Sequence, residues 1–325
     1  MTKGIDNPTF LAVSPDGRTL YATSEVLDWN EGTVTAYATN HASGRLEYIN
    51  KQPTRGSIAA QMSFDRTGKF LLLVNYGVGS MTQKPNRSVV VFPLFADGSI
   101  GAPIAEATHS GSGHDPVRQD RPHAHCVLAT PDNRFFVVSD LGLDQLVFYR
   151  FDGGAIAQHT RLTLPPGSGP RHFVLHPRAP HAYVANELNS TVASLDFDAG
   201  DGRFSVRSFA ATTPDAAAGN HCSEIKLGPD ARWLYVGNRG HDSLARFSID
   251  EGTGAATLVG NTPSGGQTPR HFAFDPSGAF LAVANQDSDS IRVFAVDLAS
   301  GDLVMLQTRV QTGTPTSVAF VRTSA

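Results

Sequence analysis

The stretch GPRHFVLHPRAPHAYVANEL, from Gly169 to Leu188, decides the fold of this chain. Its two arms, RHFVLHP and HAYVANEL, flank a Pro-containing turn and predict an antiparallel β-hairpin. The arms carry the period-2 alternation of a strand, and with the turn centred near Ala179 we expect Arg171 to lie opposite Glu187 at the open end. The hairpin thus predicts a permanent cation beside a carboxylate at one rim.

The same unit recurs along the chain as a short apolar strand, a Pro/Asp/Gly turn and an aromatic-rich strand that ends in Asn or an acid. Each copy continues into a third strand that ends near an Asp, such as TVASLDFD (191–198), SLARFSID (243–250) and SIRVFAVD (290–297), and then into a fourth. Four antiparallel strands in about 40 to 50 residues are typical of a β-propeller blade. The six copies span 10–25, 62–76, 126–142, 173–187, 225–240 and 272–286.

The predicted fold class is therefore all-β, a propeller of the seven-bladed type with six complete four-stranded blades. The segment TPTSVAFV (314–321) matches TPRHFAF (268–274) and predicts the first strand of a seventh blade. The N-terminus starts directly at the first strand of blade one. Either the ring closes on six blades plus one strand or, as we expect, the strands that close the seventh blade are missing upstream. We predict a single domain, 1–325, with an insertion and loop at 81–121 that lies over one face.

Composition excludes several classes of function. The net charge of −4 and the absence of a Lys/Arg run argue against nucleic-acid and anionic-membrane partners. No apolar run is long enough for a membrane span, and the N-terminus does not resemble a signal peptide. The two cysteines, Cys126 and Cys222, fit a reducing cytoplasm and small buried apolar roles rather than nucleophilic catalysis.

Polar residues gather at the open ends of the hairpins. The pairing rule puts His125 near Asp140, Glu224 near Asn238, and Arg270 opposite Asn285. First strands line the channel of a propeller, so these groups converge on one mouth of it. A solvated rim of ion pairs is the alternative, but the cations are all Arg, which suits forked recognition of phosphate or carboxylate. The predicted site comprises His123, His125, Arg171, Glu187, Glu224, Arg239, Arg270 and Asn285.

His123 and His125 have a spacing that would also suit a metal, with Asp140 or His172 as a third ligand. A proton-transfer or phosphate-contacting pair is at least as natural. We predict no metal and no organic cofactor.

The motifs at these positions resemble one known family, the seven-bladed propeller 6-phosphogluconolactonases. They are HDPVRQDRPHAHC (114–126), GPRHFVLHP (169–177), YVANELNSTV (183–192), LYVGNRGHDSL (234–244) and TPRHFAFDPSGAFLAVANQ (268–286). The fold is also similar to that of the carboxy-muconate cyclases, which form a lactone. The resemblance implies an active-site set of His123, Arg171, Glu187 and either Arg239 or Arg270. One departure is Gln61, where relatives often have a His.

The resemblance implies hydrolysis of a sugar δ-lactone, typically 6-phospho-glucono-1,5-lactone, so the expected partner is a small phosphosugar lactone. Glu187 is then the expected general base and Arg171 or Arg239 faces the oxyanion. An Arg partner lowers the pKa of a carboxylate, so a tight pair would make Glu187 an orienter of Arg171 and leave His123 as base. The other predicted substrate-binding residues are His125 and Arg270, for phosphate, with Glu224 and Asn285. Lactone formation from a muconate and a non-catalytic binding propeller remain the alternatives.

Overall fold

The computed structural model describes residues 5–77, 86–215 and 217–321. Two compact units divide the chain: the first runs from the N-terminus to Thr163 and includes the residues from Val321, and the second is Leu164–Phe320. The described residues form six four-stranded antiparallel sheets, each with its strands in chain order. Each sheet is thus an up-and-down unit of the kind that forms a propeller blade.

Three of these sheets belong to the first unit. Sheet 1 consists of β1 (Pro8–Val13), β2 (Thr19–Ser24), β3 (Thr33–Asn40) and β4 (Arg45–Pro53). Sheet 2 consists of β5 (Ala59–Phe64), β6 (Phe70–Asn75), β7 (Val89–Pro93) and β8 (Ala105–Ala107). Sheet 3 consists of β9 (Ala124–Ala129), β10 (Phe135–Asp140), β11 (Gln145–Asp152) and β12 (Ala155–Thr163), with a 3₁₀ turn at Leu141–Leu143.

The other three sheets belong to the second unit. Sheet 4 consists of β13 (Pro170–Leu175), β14 (His181–Asn186), β15 (Thr191–Asp198) and β16 (Arg203–Ala211). Sheet 5 consists of β17 (His221–Leu227), β18 (Trp233–Arg239), β19 (Ser243–Ile249) and β20 (Ala256–Pro263). Sheet 6 consists of β21 (Pro269–Phe274), β22 (Phe280–Asn285), β23 (Ser290–Val296) and β24 (Leu303–Gln311), with a 3₁₀ turn at Gln286–Ser288.

Within each unit the first strands of successive sheets lie side by side: β5 contacts β1 and β9, and β17 contacts β13 and β21. The core fills the space between neighbouring sheets. In the first unit Leu72, Val127 and Phe136 belong to one such cluster. In the second unit Ile225 and Phe247 belong to another. Burial of alternate apolar residues therefore packs sheet against sheet and leaves the ends of the first strands to polar residues.

Buried tyrosines on second strands tie neighbouring sheets together. Burial raises the pKa of Tyr21 and of Tyr183 to about 12, so both hydroxyls stay protonated and can donate. Each accepting carbonyl belongs to a glycine in the turn between the third and fourth strands of the next sheet. The pairs are Tyr21 with Gly98, Tyr183 with Gly254 and Tyr235 with Gly301, at 2.7–2.9 Å.

Most predicted strands are present, and one is not. The predicted third strands at 191–198, 243–250 and 290–297 correspond to β15, β19 and β23. Residues 81–85 of the predicted insertion lie outside the described residues, and its remainder includes β7 and β8. The predicted strand at 314–321 was wrong: no strand is formed there, because no described strand pairs with it.

A β-bulge lies near the start of the first strand in all six sheets that the structure describes. Here one or two residues of the first strand have no directly opposed partner on the second. Such bulges re-aim side chains and often border functional sites. The bulged residues are Thr9, Ala60, His125, Arg171 with His172, Ser223 with Glu224, and Arg270.

Because of the bulges, three of the predicted residue pairs were wrong. Asp140 pairs with Ala124 rather than His125, Asn238 with Cys222 rather than Glu224, and Asn285 with Pro269 rather than Arg270. Glu187 follows β14 and is held by its N–H, which donates to Gly169 O at 2.7 Å. Strict alternation cannot anticipate an extra residue, so the predicted pairings were displaced.

Candidate active site

A buried ion cluster in the second unit is centred on Glu187. Its Oε2 lies 3.0 Å from Arg171 Nε and 2.7 Å from Arg239 Nη2. Arg239 Nη2 also donates to Cys222 O at 3.0 Å. The side chains of Arg171 and Glu187 are 4% and 3% exposed, and that of Arg239 is 17% exposed. Two guanidinium groups therefore share one carboxylate and leave a net positive charge away from solvent.

The pKa of Arg171 reflects its burial and this excess of positive charge. Burial, and then the charge of Arg239, lower the pKa of Arg171 to about 9, although Glu187 opposes the change. The side chain stays protonated at neutral pH. Arg270 also lowers this pKa, which places its charge near Arg171. Such a cluster of cations suits an anion or a developing negative charge.

A second cluster in the same unit surrounds the buried carboxylate of Glu224. Its Oε1 lies 3.0 Å from His172 Nδ1, and its Oε2 lies 3.0 Å from His271 Nε2. Lys226 Nζ is 3.5 Å from Oε1. Burial alone would raise the pKa of Glu224, but Lys226 and the two histidines outweigh burial and hold it well below the usual range. Glu224 is therefore ionised at neutral pH.

Both histidines are neutral at that pH. Burial lowers the pKa of His172 to about 4 and also lowers the pKa of His271, in each case against the opposing effect of Glu224. Glu224 also raises the pKa of Arg171, so the charges of the two clusters act on one another.

Arg270 and Asn285 differ in their surroundings. Arg270 Nη1 donates to Gln286 Oε1 at 3.3 Å, and its side chain is partly exposed. Asn285 is buried and its Nδ2 donates to Ser264 O at 3.0 Å, as Asn238 Nδ2 does to Thr212 O. This repeated contact gives Asn285 a structural role, and the geometry lends no support to its predicted contact with substrate.

The predicted histidines His123 and His125 belong to the first unit. His123 Nδ1 lies 2.9 Å from Tyr76 O and Nε2 lies 3.1 Å from Asp120 Oδ1, so both ring nitrogens face acceptors. Its ring stacks on that of Tyr76 with centroids 4.2 Å apart, while His125 meets the same ring edge-on at 5.6 Å. Tyr76 thus orders both imidazoles.

Asp140 supports this region through a buried chain of contacts. Its Oδ1 accepts the backbone N–H of His123 at 2.8 Å, and its Oδ2 lies 2.6 Å from His109 Nδ1. His109 Nε2 lies 2.8 Å from the Tyr149 hydroxyl. The two carboxylate oxygens of Asp140 therefore contact the His123 N–H and the His109 ring, respectively.

Across the described ranges, no three His, Cys, Asp or Glu side chains are arranged to hold a metal ion, so the metal alternative gains no support.

Cys126 and Cys222 are buried and form no disulfide. Burial raises the pKa of the Cys222 thiol to about 12, which keeps it protonated and unreactive. This agrees with the apolar role expected for it.

Sequence reasoning missed two features of the second unit. His172 was considered only as a possible metal ligand, and His271 was not considered, although each follows the arginine of a PRH motif. The repetition of PRH in 170–172 and 269–271 was the available signal. Cross-sheet contacts between Glu224 and these histidines have no signature within a single hairpin.

Comparisons with known proteins agree with this architecture. Residues 1–320 match the family model described as lactonase, 7-bladed beta-propeller. A 6-phosphogluconolactonase of Bacillus subtilis is 34% identical over 319 residues, covering 98% of this chain and 88% of that protein. The chain belongs to this lactonase family. The predicted family, the all-β propeller fold and the enzyme class, a lactone hydrolase, are confirmed.

Two solved structures extend the comparison. A putative 6-phosphogluconolactonase from Bacteroides fragilis superposes with a TM-score of 0.89 at 31% identity, covering 99% of this chain and 89% of that one. A periplasmic gluconolactonase from Pseudomonas aeruginosa superposes with a TM-score of 0.88 at 31% identity, covering 100% and 91%. Among the described residues of this lactonase, no helix has the length and apolar character needed to cross a membrane.

Proposed function

We propose that this lactonase hydrolyses 6-phospho-D-glucono-1,5-lactone to 6-phosphogluconate, the lactone-opening step of the pentose phosphate pathway, at one mouth of the propeller channel. The names of the Bacillus and Bacteroides relatives support the substrate class. The observation that carries the proposal is the buried pair of guanidinium groups, Arg171 and Arg239, on the single carboxylate of Glu187.

Lactone hydrolysis passes through a tetrahedral intermediate whose carbonyl oxygen becomes an anion. A fixed guanidinium in a poorly solvated site stabilises that charge without reorganisation. Arg171 is held at its Nε and Arg239 at its Nη2, so both are oriented before substrate binds. We assign these two arginines to the oxyanion and to the carboxylate of the product.

Glu187 has the role of an orienter in this scheme. Its Oε2 is the atom that both arginines contact, so its charge is committed to them. A proton acceptor whose lone pairs already bind two cations is a poor base. The tight pair therefore supports the second of the two roles expected for Glu187, in which another group acts as the base.

Phosphate recognition falls to Arg270, whose charge lies near Arg171, with His125 as the predicted partner. This stays a prediction, and it is the finer part of the proposal, since the Pseudomonas neighbour is described as a gluconolactonase. His123 likewise keeps its predicted catalytic role as a prediction, which substitution would test.

Three predictions about the whole chain belong to the same proposal. The seven-bladed ring is supported by the description of the family, and a single propeller domain over 1–325, with the loop at 81–121, agrees with the match over 1–320. A cytoplasmic location is supported by the two cysteines, which are buried and form no disulfide.

The test is a coupled assay in which 6-phosphogluconate is oxidised by its dehydrogenase, with spontaneous lactone hydrolysis subtracted. We expect a higher kcat/KM for 6-phospho-glucono-1,5-lactone than for glucono-1,5-lactone. A preference for the unphosphorylated lactone would overturn the phosphate assignment. No rate above the spontaneous one on either lactone would overturn the hydrolase proposal and favour lactone formation from a muconate or a non-catalytic propeller.

A further inference from the structure

The contact between Glu187 and Arg239 joins two different sheets of the second unit. Glu187 lies in the turn between β14 and β15, and Arg239 is the last residue of β18. Glu187 Oε2 and Arg239 Nη2 are 2.7 Å apart. The ladder hydrogen bonds within one sheet cannot set a distance between two sheets, so contacts from one backbone segment to the other must fix it.

Asn220, which directly precedes β17, contacts both of these segments and is 4% exposed. Its Nδ2 donates to Ser190 Oγ at 3.0 Å, in the turn that carries Glu187. The same Nδ2 donates to Asn238 Oδ1 at 3.1 Å, directly before Arg239. Ser190 Oγ in return donates to Asn220 O at 2.8 Å. One buried residue therefore links the segment of Glu187 to that of Arg239.

The orientations of the two amides follow from backbone groups that have a single role. The N–H of His241 can only donate, and it lies 3.3 Å from Asn220 Oδ1. The carbonyl of Thr212 can only accept, and Asn238 Nδ2 lies 3.0 Å from it. Asn220 Nδ2 and Asn238 Oδ1 therefore face one another as donor and acceptor.

The backbone after Arg239 also packs against the backbone of Asn220. Gly240 has a φ of 105°, which favours glycine. A Cβ atom at this position would lie 2.6 Å from Gly219 O and 3.3 Å from Asn220 Cα. This close approach is possible only for glycine, and it ties the end of β18 to the residue that also contacts Ser190.

We propose that Asn220 is a positioning residue of the reaction, which sets the distance between Glu187 and Arg239 and so holds Arg239 towards the oxyanion. This inference rests on the proposed role of the two arginines in lactone hydrolysis. Asn220 acts through Ser190 and Asn238 rather than on the substrate. Misplacement of a group by about 1 Å can cost about 10²-fold in rate, so this role should be measurable.

The first experiment is Asn220→Ala assayed with 6-phospho-glucono-1,5-lactone. We expect kcat/KM to fall by about 10- to 100-fold, because Arg239 is no longer held in place. The matched control is Asn261→Ala. Asn261 is a part-buried amide on the fourth strand of sheet 5, and its Nδ2 donates to Thr212 O at 2.8 Å and to Ser243 Oγ at 3.3 Å. This variant should lose stability but keep the wild-type kcat/KM.

A double-mutant cycle separates positioning from a general loss of structure. Arg239→Met alone should cost about 10²–10³-fold in kcat/KM, as removal of an oxyanion donor does. If Asn220 acts through Arg239, the further loss from Asn220→Ala in the Arg239→Met enzyme should be at least about fivefold smaller than in the wild type. A purely structural effect would instead multiply the two losses.

NMR of ¹⁵N-labelled arginine measures the position of Arg239 without turnover. The Arg239 signals are assigned by their loss in Arg239→Met. In the wild type and in Asn261→Ala they should show the slow rotation of a guanidinium group bound to a carboxylate, and in Asn220→Ala the rotation should be faster. Ser190→Ala is a smaller change that removes one partner of Asn220, and it should act in the same direction.

Two results would overturn the inference. One is a folded Asn220→Ala enzyme with wild-type kcat/KM and unchanged Arg239 signals. The other is an equal loss from Asn220→Ala in the presence and absence of Arg239. If Asn220→Ala does not fold, Ser190→Ala decides by the same measurements. A wild type that does not hydrolyse the lactone, but whose Arg239 signals respond to Asn220→Ala, would remove the proposed function and confirm the positioning contact.

Discussion

One position at or directly after the first-strand bulge holds different side chains in the two units. In sheet 2 the position is occupied by Gln61, whose Oε1 accepts Val127 N–H at 2.8 Å and whose Nε2 donates to Met62 O at 3.0 Å. In sheets 4 to 6 the corresponding position, five residues before the proline of the hairpin turn, holds His172, Glu224 and His271, and Glu224 contacts both histidines. A neutral amide there satisfies backbone groups, whereas ionisable side chains at the same backbone position form a coupled cluster.

The bulge is therefore a feature of the fold, and the side chains at or beside it decide whether charge is buried there. The bulge is present whether or not charge is buried at it. The following predictions test whether substitutions in the second unit lower the rate of lactone hydrolysis, and whether substitution of Gln61 lowers only the stability of the fold.

Among the variants compared below, Arg171→Met should have the largest effect. The substitution keeps the apolar stem but removes one of the two cations on Glu187, and loss of one oxyanion donor costs about 10²–10³-fold in rate. We expect kcat/KM for the lactone to fall by that factor. The control is Arg207→Met, which removes an exposed guanidinium that lies 2.8 Å from Asp196 in the same unit and should leave the rate unchanged. Equal rates for the Arg171→Met and Arg207→Met variants would contradict a role for the buried guanidinium group in the reaction.

Glu187→Gln should have an intermediate effect. The amide cannot balance both Arg171 and Arg239, so these side chains shift, and misplacement of such groups can cost up to about 10²-fold. We expect a loss of about 10- to 100-fold, together with a lower urea midpoint. A loss beyond 10⁴-fold would indicate that Glu187 is itself the base, and near-normal turnover would exclude both of its expected roles.

Acid should destabilise the protein through the buried histidines. The pKa of His172 is about 4 in the fold, against 6.5 for an ordinary histidine, so the unfolded chain binds more protons between these values. The stability due to this group is fully present above pH 6.5 and falls by roughly 3 kcal/mol as pH drops to 4. Urea unfolding at several pH values measures it. His172→Gln should reduce the dependence of the unfolding free energy on pH. An unchanged dependence would contradict its assignment to His172.

The smallest effect is expected for Gln61→Leu. Leucine cannot accept the buried N–H of Val127, and an unsatisfied buried donor costs about 1–3 kcal/mol. We expect a lower urea midpoint but an unchanged kcat per folded molecule. A Gln61→Glu variant sharpens the comparison, since it tests whether a charge at this position of sheet 2 has any effect on the reaction. A fall in kcat for Gln61→Leu would place sheet 2 in the catalytic machinery.

The local part of this architecture could be predicted from the sequence. Alternating hydrophobicity and turn residues locate the hairpins, as with β15, predicted at 191–198 and observed at Thr191–Asp198. The proximity of Arg171 and Glu187 was also predicted from one hairpin and is observed, although Glu187 lies opposite Gly169 and Arg171 reaches it from the bulge. The strand at 314–321 was a wrong prediction because its resemblance to 268–274 concerns side chains, while a strand needs a partner backbone.

By itself the sequence determined the repeated hairpins, the family motifs and the gathering of Arg, His and Glu at the open ends of the hairpins in sheets 3 to 6, because these depend on residues close in the chain. Only the tertiary structure decided which of them meet. The bulges displaced the predicted register, Arg239 joined Glu187 from another sheet, and Glu224 came to lie between His172 and His271. Such contacts depend on how neighbouring sheets pack, and burial then fixes the charge states that the proposed chemistry uses.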